Sequence, residues 1–341
     1  MSRPGMSTLV PPTPIEYRER IGALTGPETL SRFLAELEVT VVTAVGPEVP
    51  VVAKATTDVL AGGKRLRPML TLAAATAAGP EEVLATAGRR LIDLGTAVEL
   101  LHAGSLVHDD VMDGAETRHG APSVNAAQGT GTAILCGDYL IALSFSRAAS
   151  VGVAEVATIA AAFTELCRGQ AAETRDLFRP ERTVADYYSC IEGKTAALFA
   201  ASCRLGVLAA GGEQRVARKL ADFGLALGMA FQIVDDLLDL GGLASTIGKP
   251  TGQDLTAGVY TLPTLLALAD RPEIGDALRA GDTTTVTRMV LDSSAPEQTV
   301  AAARKWTGRA VEVLHECAES LHPGTVDALG GMAVSLLGRA R

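Results

Sequence analysis

Apolar residues return every three or four positions along most of the chain, and this spacing constrains the fold more than any other feature. Leu30, Phe33, Leu34, Leu37 and Val41 form one run. Leu84, Ala87, Leu91, Leu94, Val98 and Leu101 form a second, and Leu220, Phe223, Leu227, Phe231, Val234 and Leu238 a third. Residues at these intervals line one face of an α-helix. No stretch alternates apolar and polar residues between turn signals, as a half-buried strand would. Of the 341 residues, 48% are hydrophobic but only 4% aromatic, which suits closely packed, alanine-rich helices better than a sheet. Gly and Pro at 46–50, 62–63, 79–80, 120–122, 211–212, 241–252 and 323–324 divide the chain into helices. None of these breaks reads as an interdomain linker. The pattern predicts an all-α fold, a single large helical bundle around a central cavity, spanning residues 26–341. Residues 1–15 carry four prolines, so a disordered tail is expected over residues 1–25.

Acidic residues outnumber basic ones 39 to 30, for a net charge of −9. That excludes a general nucleic-acid binder, which needs a basic stripe. The five cysteines are scattered and odd in number, with no C-x-x-C pair, as expected for a reduced, cytoplasmic protein. No uncharged apolar run reaches the ~18 residues of a membrane span, so no integral membrane segment is expected.

Two segments carry chemistry: Asp109-Asp110-Val111-Met112-Asp113 and Asp235-Asp236-Leu237-Leu238-Asp239. Both are DDxxD, and both end an apolar helical run. Aspartates four apart stack on one helix face. Without a cation such a cluster raises its own pKa values by repulsion, and at a helix C-terminus it also opposes the helix dipole. Carboxylate oxygens suit Mg²⁺, which keeps waters and shares its shell with phosphates. Two such clusters point to metal ions gripping a diphosphate, which lets an acidic protein bind an anion. Basic residues should accompany them. Gly62-Gly63-Lys64-Arg65-Leu66-Arg67-Pro68 places three on a Gly-Gly turn at a helix start, where N–H groups favour phosphate. Arg118-His119 follows the first motif, Lys194-Thr195 opens an apolar face, and Lys249 lies in the irregular stretch 241–258.

With GGKRLRP at 62–68, ELLHAGSLVHDDVMDGAETRHG at 99–120, GKTAALF at 193–199, FQIVDDLLD at 231–239 and GKPTGQDLTAG at 248–258, the chain resembles the trans-polyprenyl diphosphate synthases of the isoprenoid synthase fold. The landmarks occur in family order across residues 60–263. The resemblance implies that Asp109, Asp110, Asp113, Asp235, Asp236 and Asp239 bind Mg²⁺, three ions with substrate present, bridging to an allylic diphosphate (C5–C20). Arg118, Lys194 and Lys249 would contact that diphosphate. Thr195 and Gln232 would lie beside the reacting carbons, with Lys194 completing the catalytic group. Lys64, Arg67, His102 and His119 would bind isopentenyl diphosphate. It also implies a homodimer, and a lid at 241–258 that excludes water from a carbocation.

Where the family usually has Arg-Arg after the first motif, this chain has Arg118-His119, which predicts weaker isopentenyl diphosphate binding. Product length is expected to depend on Ala97, Leu101, Gly104 and Ser105, which precede Asp109 on its helix. None is aromatic, so a product of C20 or longer is expected, and Gly104→Phe is expected to shorten it. Three other readings stand beside this one, among them a non-catalytic partner subunit, which typically loses the Asp motifs that are both intact here. E-x-x-H occurs at Glu99–His102, Glu312–His315 and Glu319–His322, and helical di-iron proteins use such pairs. A terpene cyclase shares the first Asp motif but has no use for GGKRLRP.

Overall fold

The computed structural model describes residues 14–47, 49–61, 63–79, 83–118, 120–240 and 252–338. Its helices are α1 (Pro14–Thr25), α2 (Pro27–Val42), α3 (Pro50–Leu60), α4 (Leu66–Ala78), α5 (Val83–Met112), α6 (Val124–Gln128), α7 (Thr130–Val151), α8 (Val153–Arg175), α9 (Val184–Ile191), α10 (Ala197–Ala209), α11 (Gln214–Leu240), α12 (Gln253–Ala257), α13 (Leu262–Asp270), α14 (Ile274–Arg279), α15 (Thr283–Leu291), α16 (Ala295–Glu316) and α17 (Thr325–Ser335). One departure from pure helix is a two-stranded hairpin, β1 (Thr117–Arg118) against antiparallel β2 (Ala121–Pro122).

The apolar spacing explains the packing. Leu30, Phe33, Leu37 and Val41 are the buried stripe of α2, and Leu220, Phe223, Leu227 and Val234 belong to that of α11. α5 lies along α7, α10 packs between α4 and α11, and α16 closes on α11. Trp306 on α16 tilts against Tyr188 with ring centroids 6.4 Å apart, as a packing residue would.

The tail expected over residues 1–25 is corrected at its C-terminal half. Pro14–Thr25 is α1, packed on α2, α4 and α17, with Tyr17 and Ile21 buried. Its prolines stop at the first helical position, where proline is tolerated. Tyr17, Ile21 and Leu24 then supply a buried face at helical spacing. Residues 1–13 lie outside the described residues.

The rod from α9 to α10 holds the second feature that positions the site. A Thr183–Asp186 capping box starts α9, satisfying two otherwise unpaired N–H groups. α9 then runs through a π-helical turn, Glu192–Ala196, into α10. Such bulges interrupt helices mostly at functional sites, and this one contains Lys194 and Thr195. Two glycines let α8 touch it. A Cβ on Gly193 would lie 2.5 Å from the Glu165 carbonyl oxygen, and one on Gly169 2.3 Å from the Lys194 nitrogen. Gly193→Ala therefore must push backbone from backbone. It is expected to cost about 2 kcal/mol, seen as a lower urea midpoint, and to lower kcat by displacing Lys194.

Candidate active site

The first Asp motif ends α5 and divides in two. Asp109 and Asp113 share a face; the Asp113 N–H donates to the Asp109 carbonyl at 2.8 Å. Asp110 is 3% exposed and turns the other way, to the hairpin. There Arg118 donates to it through Nε (2.9 Å) and Nη2. The hairpin thus brings Arg118 back to the motif it follows, and that guanidinium already carries a carboxylate.

Across from Asp109 stands the π-turn. The Lys194 ammonium pairs with Glu173 near the end of α8. Burial opposes its charge, but Glu173, Asp109 and Asp113 outweigh burial and hold it above its ordinary value. Burial pushes the Asp109 carboxyl up to about 6, with Asp113 and Glu173 adding to the rise and Lys194 opposing it. Asp113 is raised by the same burial and by Glu173.

The second motif ends α11. Asp235 is exposed, whereas Asp236 is 5% exposed. Both oxygens of Asp236 are engaged: Oδ2 accepts from the Tyr187 hydroxyl at 2.6 Å, Oδ1 from Gln232 Nε2 at 2.7 Å. Thr195 in turn donates to Gln232 Oε1 at 2.7 Å. Burial lifts the Asp236 carboxyl to about 7, against the pull of those two hydrogen bonds, with Asp235 and Glu173 adding to the rise. Asp239 Oδ2 accepts the Asp254 N–H at 3.2 Å, and its carbonyl accepts the Gly252 N–H at 3.0 Å. The chain is thereby tied back at α12. Asp254 on α12 is held well above the usual carboxylate range by burial and by Asp236, Asp239 and Asp235.

Glu173 contributes to the field at both motifs and at Asp254, so it sits between them. A cavity of about 170 Å³ opens beside it, lined by Met112, Asp113, Gln170, Glu173, Thr174 and Leu177. Gln170 Oε1 is buried there without a hydrogen-bond partner. A surface depression of about 420 Å³ at Pro180–Val184 and α13–α14 includes none of the expected site residues.

The basic turn sorts into a pin, Arg65, and a cation packed on an aromatic ring, Arg67. Arg65 adopts φ 51° and is 5% exposed. It donates to Glu38 (2.9 and 3.0 Å) and to Glu99 (2.7 Å), tying α2 and α5 to the start of α4. Arg67 packs its guanidinium 4.9 Å from the Phe199 ring centroid, and its buried Nε has no hydrogen-bond partner. Burial pulls its pKa down to about 10, with Glu99 opposing. Lys64 is exposed and His102 half-buried on α5. His119 and Lys249 lie outside the described residues, as does most of the expected lid, residues 241–251.

Sequence reasoning missed Glu173, Gln170, Tyr187 and Asp254. Asp254 stood inside the landmark GKPTGQDLTAG, and Gln170 and Glu173 are three apart on one face of α8. The helical stripe expected to line the product tunnel needs correction at Gly104. A Cβ there would lie 2.9 Å from Ile141 Cγ1 and 3.0 Å from the Gly137 carbonyl oxygen. Gly104 therefore sits in the α5–α7 seam. Ala97, Leu101 and Ser105 are buried; the Ala97 carbonyl accepts from Ser144 of α7, and the Ser105 hydroxyl donates to the His102 carbonyl. Gly104→Phe is now expected to wedge α7 off α5 and to lower the melting temperature by several degrees, rather than to place a clean floor. The di-iron reading fails on placement: Glu99 is held by Arg65, while Glu312 and His315 face solvent on α16.

The donor set fits a hard divalent cation. Among the described residues no three carboxylates or histidines already converge on one point, as expected where substrate phosphates complete the shell. The raised carboxyls mark where burial and neighbouring like charges press on the motifs. Asp109 at about 6 and Asp236 at about 7 both lie above the ordinary 3.8. Their contribution to stability is present below pH ~4 and lost as pH rises through 6 to 7. The metal-free melting temperature should therefore fall between pH 5 and pH 8. Mg²⁺ with inorganic diphosphate should restore more at pH 8 than at pH 5. A flat profile in chelator would contradict this account.

Comparison with known proteins bears on the family and the fold. The polyprenyl synthetase family profile matches residues 49–290. Heptaprenyl diphosphate synthase component 2 of Geobacillus stearothermophilus is 39% identical over 279 residues, 81% of this chain and 85% of that protein. A decaprenyl diphosphate synthase from Rhodobacter capsulatus superposes with a TM-score of 0.83 at 30% identity, covering 95% of this chain and 99% of that one. A polyprenyl synthase from Caulobacter crescentus CB15, complexed with calcium and isoprenyl diphosphate, does so with a TM-score of 0.81 at 28% identity, covering 95% and 98%.

Proposed function

The chain belongs to the polyprenyl synthetase family and is a prenyltransferase, and from that premise we propose how its residues divide the work. It condenses isopentenyl diphosphate with an allylic diphosphate to give an all-trans product of C20 or longer. The observation that carries the reading is the placement of both Asp motifs within the field of the Lys194–Glu173 pair. The names of the relatives, heptaprenyl and decaprenyl synthases, favour a long product.

Asp109, Asp113 and Asp235 would hold Mg²⁺, three ions with substrate bound. Asp110, Asp236 and Asp239 stand behind them, already bonded to Arg118, to Tyr187 and Gln232, and to the Asp254 N–H. When bound, the metal neutralises charge on the leaving diphosphate and so favours ionisation of the allylic C–O bond. Lys194 lies opposite Asp109 and supplies a fixed positive charge to the same diphosphate. Arg118 and Lys249 are proposed to join it. Thr195 and Gln232 face the carbons where positive charge develops. Lys64, Arg67, His102 and His119 would hold isopentenyl diphosphate so that its alkene meets the allylic cation. The proton lost in the elimination leaves with the departing diphosphate, so the protein need supply no nucleophile.

The chain is also proposed to pair with a second copy through α7 and α8. By length and composition α7 is apolar enough to cross a membrane, but it packs along α5. Ile134 and Leu135 near the start of α7 are exposed apolar residues that a second copy would cover.

The test is incubation with Mg²⁺, isopentenyl diphosphate and each of the C5, C10, C15 and C20 allylic diphosphates, with chromatography of the products. Chain elongation from at least one primer to C20 or beyond is expected. No condensation with any primer overturns the reading.

A further inference from the structure

Tyr187 is 1% exposed, and nothing in the proposed reaction uses its hydroxyl. It lies at the end of a continuous hydrogen-bonded line. The Tyr187 hydroxyl donates to Asp236 Oδ2 (2.6 Å), Gln232 Nε2 donates to Asp236 Oδ1 (2.7 Å), and the Thr195 hydroxyl donates to Gln232 Oε1 (2.7 Å). The line crosses three elements: α9, the end of α11 and the π-turn. Its members are buried or half-buried, so each donor and acceptor must be matched within the line or lose its hydrogen bond.

Direction is the informative property. Both Asp236 oxygens accept, one from the Tyr187 hydroxyl and the other from the Gln232 NH₂. With Asp236 anchored by Tyr187, the side of Gln232 that meets Oδ1 must be the NH₂. That fixes the amide, and its oxygen is left facing Thr195. Thr195 must then give its single proton to Gln232, so toward any ligand its hydroxyl acts only as an acceptor. A cation beside Thr195 meets lone pairs rather than a proton. Preorganised dipoles of this kind stabilise developing charge without reorganisation during the reaction.

We propose that Tyr187 and Asp236 are positioning residues that fix the Gln232 amide and so hold the Thr195 hydroxyl with its lone pairs toward the allylic carbocation. Asp236 then serves the second motif as an anchor, with both oxygens engaged, while Asp235 is left to the metal. This rests on the prenyl-transfer function proposed above. Arg182 supports the device from behind. Its guanidinium lies 5.7 Å from the Tyr187 ring centroid and donates to the Tyr260 carbonyl at 3.1 Å, which limits where the ring can move.

The test is Tyr187→Phe, which keeps the ring and removes one hydrogen. Tyr188→Phe, next to it on α9 and half-buried, is the control. Each is assayed beside the wild type with saturating Mg²⁺, isopentenyl diphosphate and the best allylic primer. The expected result for Y187F is a roughly tenfold lower kcat. Both KM values and the Mg²⁺ half-saturation should stay within twofold, and Y188F should behave as wild type. A merely structural hydroxyl would lower the melting temperature and leave kcat of the folded enzyme unchanged. Unchanged kcat in Y187F overturns the proposal. So does a defect that excess Mg²⁺ abolishes, because Tyr187 would then serve the metal. A wild type that condenses no primer overturns the function and this inference together; an active wild type with an unaffected variant overturns the inference alone.

Discussion

Asp109→Asn is expected to lower kcat by about three orders of magnitude while making the metal-free protein more stable. The two effects have one origin. Asp109 shares a face with Asp113, looks across at Lys194 and Glu173, and has its carboxyl raised to about 6 by burial. At pH 8 its charge is therefore held against the preference of its surroundings. Asparagine keeps the shape and removes the charge, so repulsion with Asp113 and Glu173 falls. The same charge is what a divalent ion needs on that face. Loss of a preorganised charge at the leaving group costs about 100- to 1,000-fold, and losing a metal as well places the effect at the upper end. Two measurements separate this from a structural role. Thermal unfolding in chelator at pH 8 should show a higher midpoint for the variant, and the upward shift produced by Mg²⁺ with inorganic diphosphate should shrink. A variant that unfolds earlier in chelator, or that keeps kcat within tenfold, would sink the assignment.

The helices and the two aspartate clusters were legible because both depend on spacing within one segment. Leu220, Phe223 and Leu227 declare the buried face of α11 without reference to anything else, and Asp235–Asp239 falls at its end. Division of labour within a cluster was not legible, because it depends on what stands opposite. Asp110 and Asp236 look like their neighbours in sequence. They become anchors only because a hairpin returns Arg118 and because α9 brings Tyr187 across. Glu173 is 21 residues from Lys194, and nothing local announces that Gly169 and Gly193 let the two helices meet. Gly104 shows the same limit from the other side. The stripe through Ala97, Leu101 and Gly104 was real, but helical spacing cannot say whether a stripe faces a cavity or a partner helix. Close approach of Gly137 and Ile141 decided it. At the N-terminus the prolines obscured a legible pattern, since Tyr17, Ile21 and Leu24 already carry helical spacing.

Arg67→Met is expected to trade substrate affinity for stability, and this separates a binding cation from a structural one. Arg65 and Arg67 are two residues apart on the same turn, yet their surroundings are opposite. Arg65 meets Glu38, Glu99 and the Leu60 carbonyl, so removing it should unfold the turn. Arg67 meets the face of Phe199, and its buried Nε lacks an acceptor. Its pKa falls from 12.5 to about 10. A folded-state value below the unfolded one means that folding disfavours the charged form at every pH below about 10, and that the penalty fades only above it. A buried charge without a full partner is destabilising, and replacing it with a side chain of similar length and no charge commonly gains about 1–3 kcal/mol. Methionine keeps the apolar contact with Phe199, so the melting temperature of R67M should rise by a few degrees. Isopentenyl diphosphate should bind less well. A charge-assisted hydrogen bond to a phosphate contributes about 2 kcal/mol, which corresponds to a KM roughly 30-fold higher. The KM for the allylic diphosphate should hold within about threefold, because Lys194 and Arg118, not Arg67, are proposed to serve that site. If R67M instead melts earlier and keeps its KM for isopentenyl diphosphate, Arg67 belongs to the scaffold, and the cation that meets this diphosphate must be sought at Lys64.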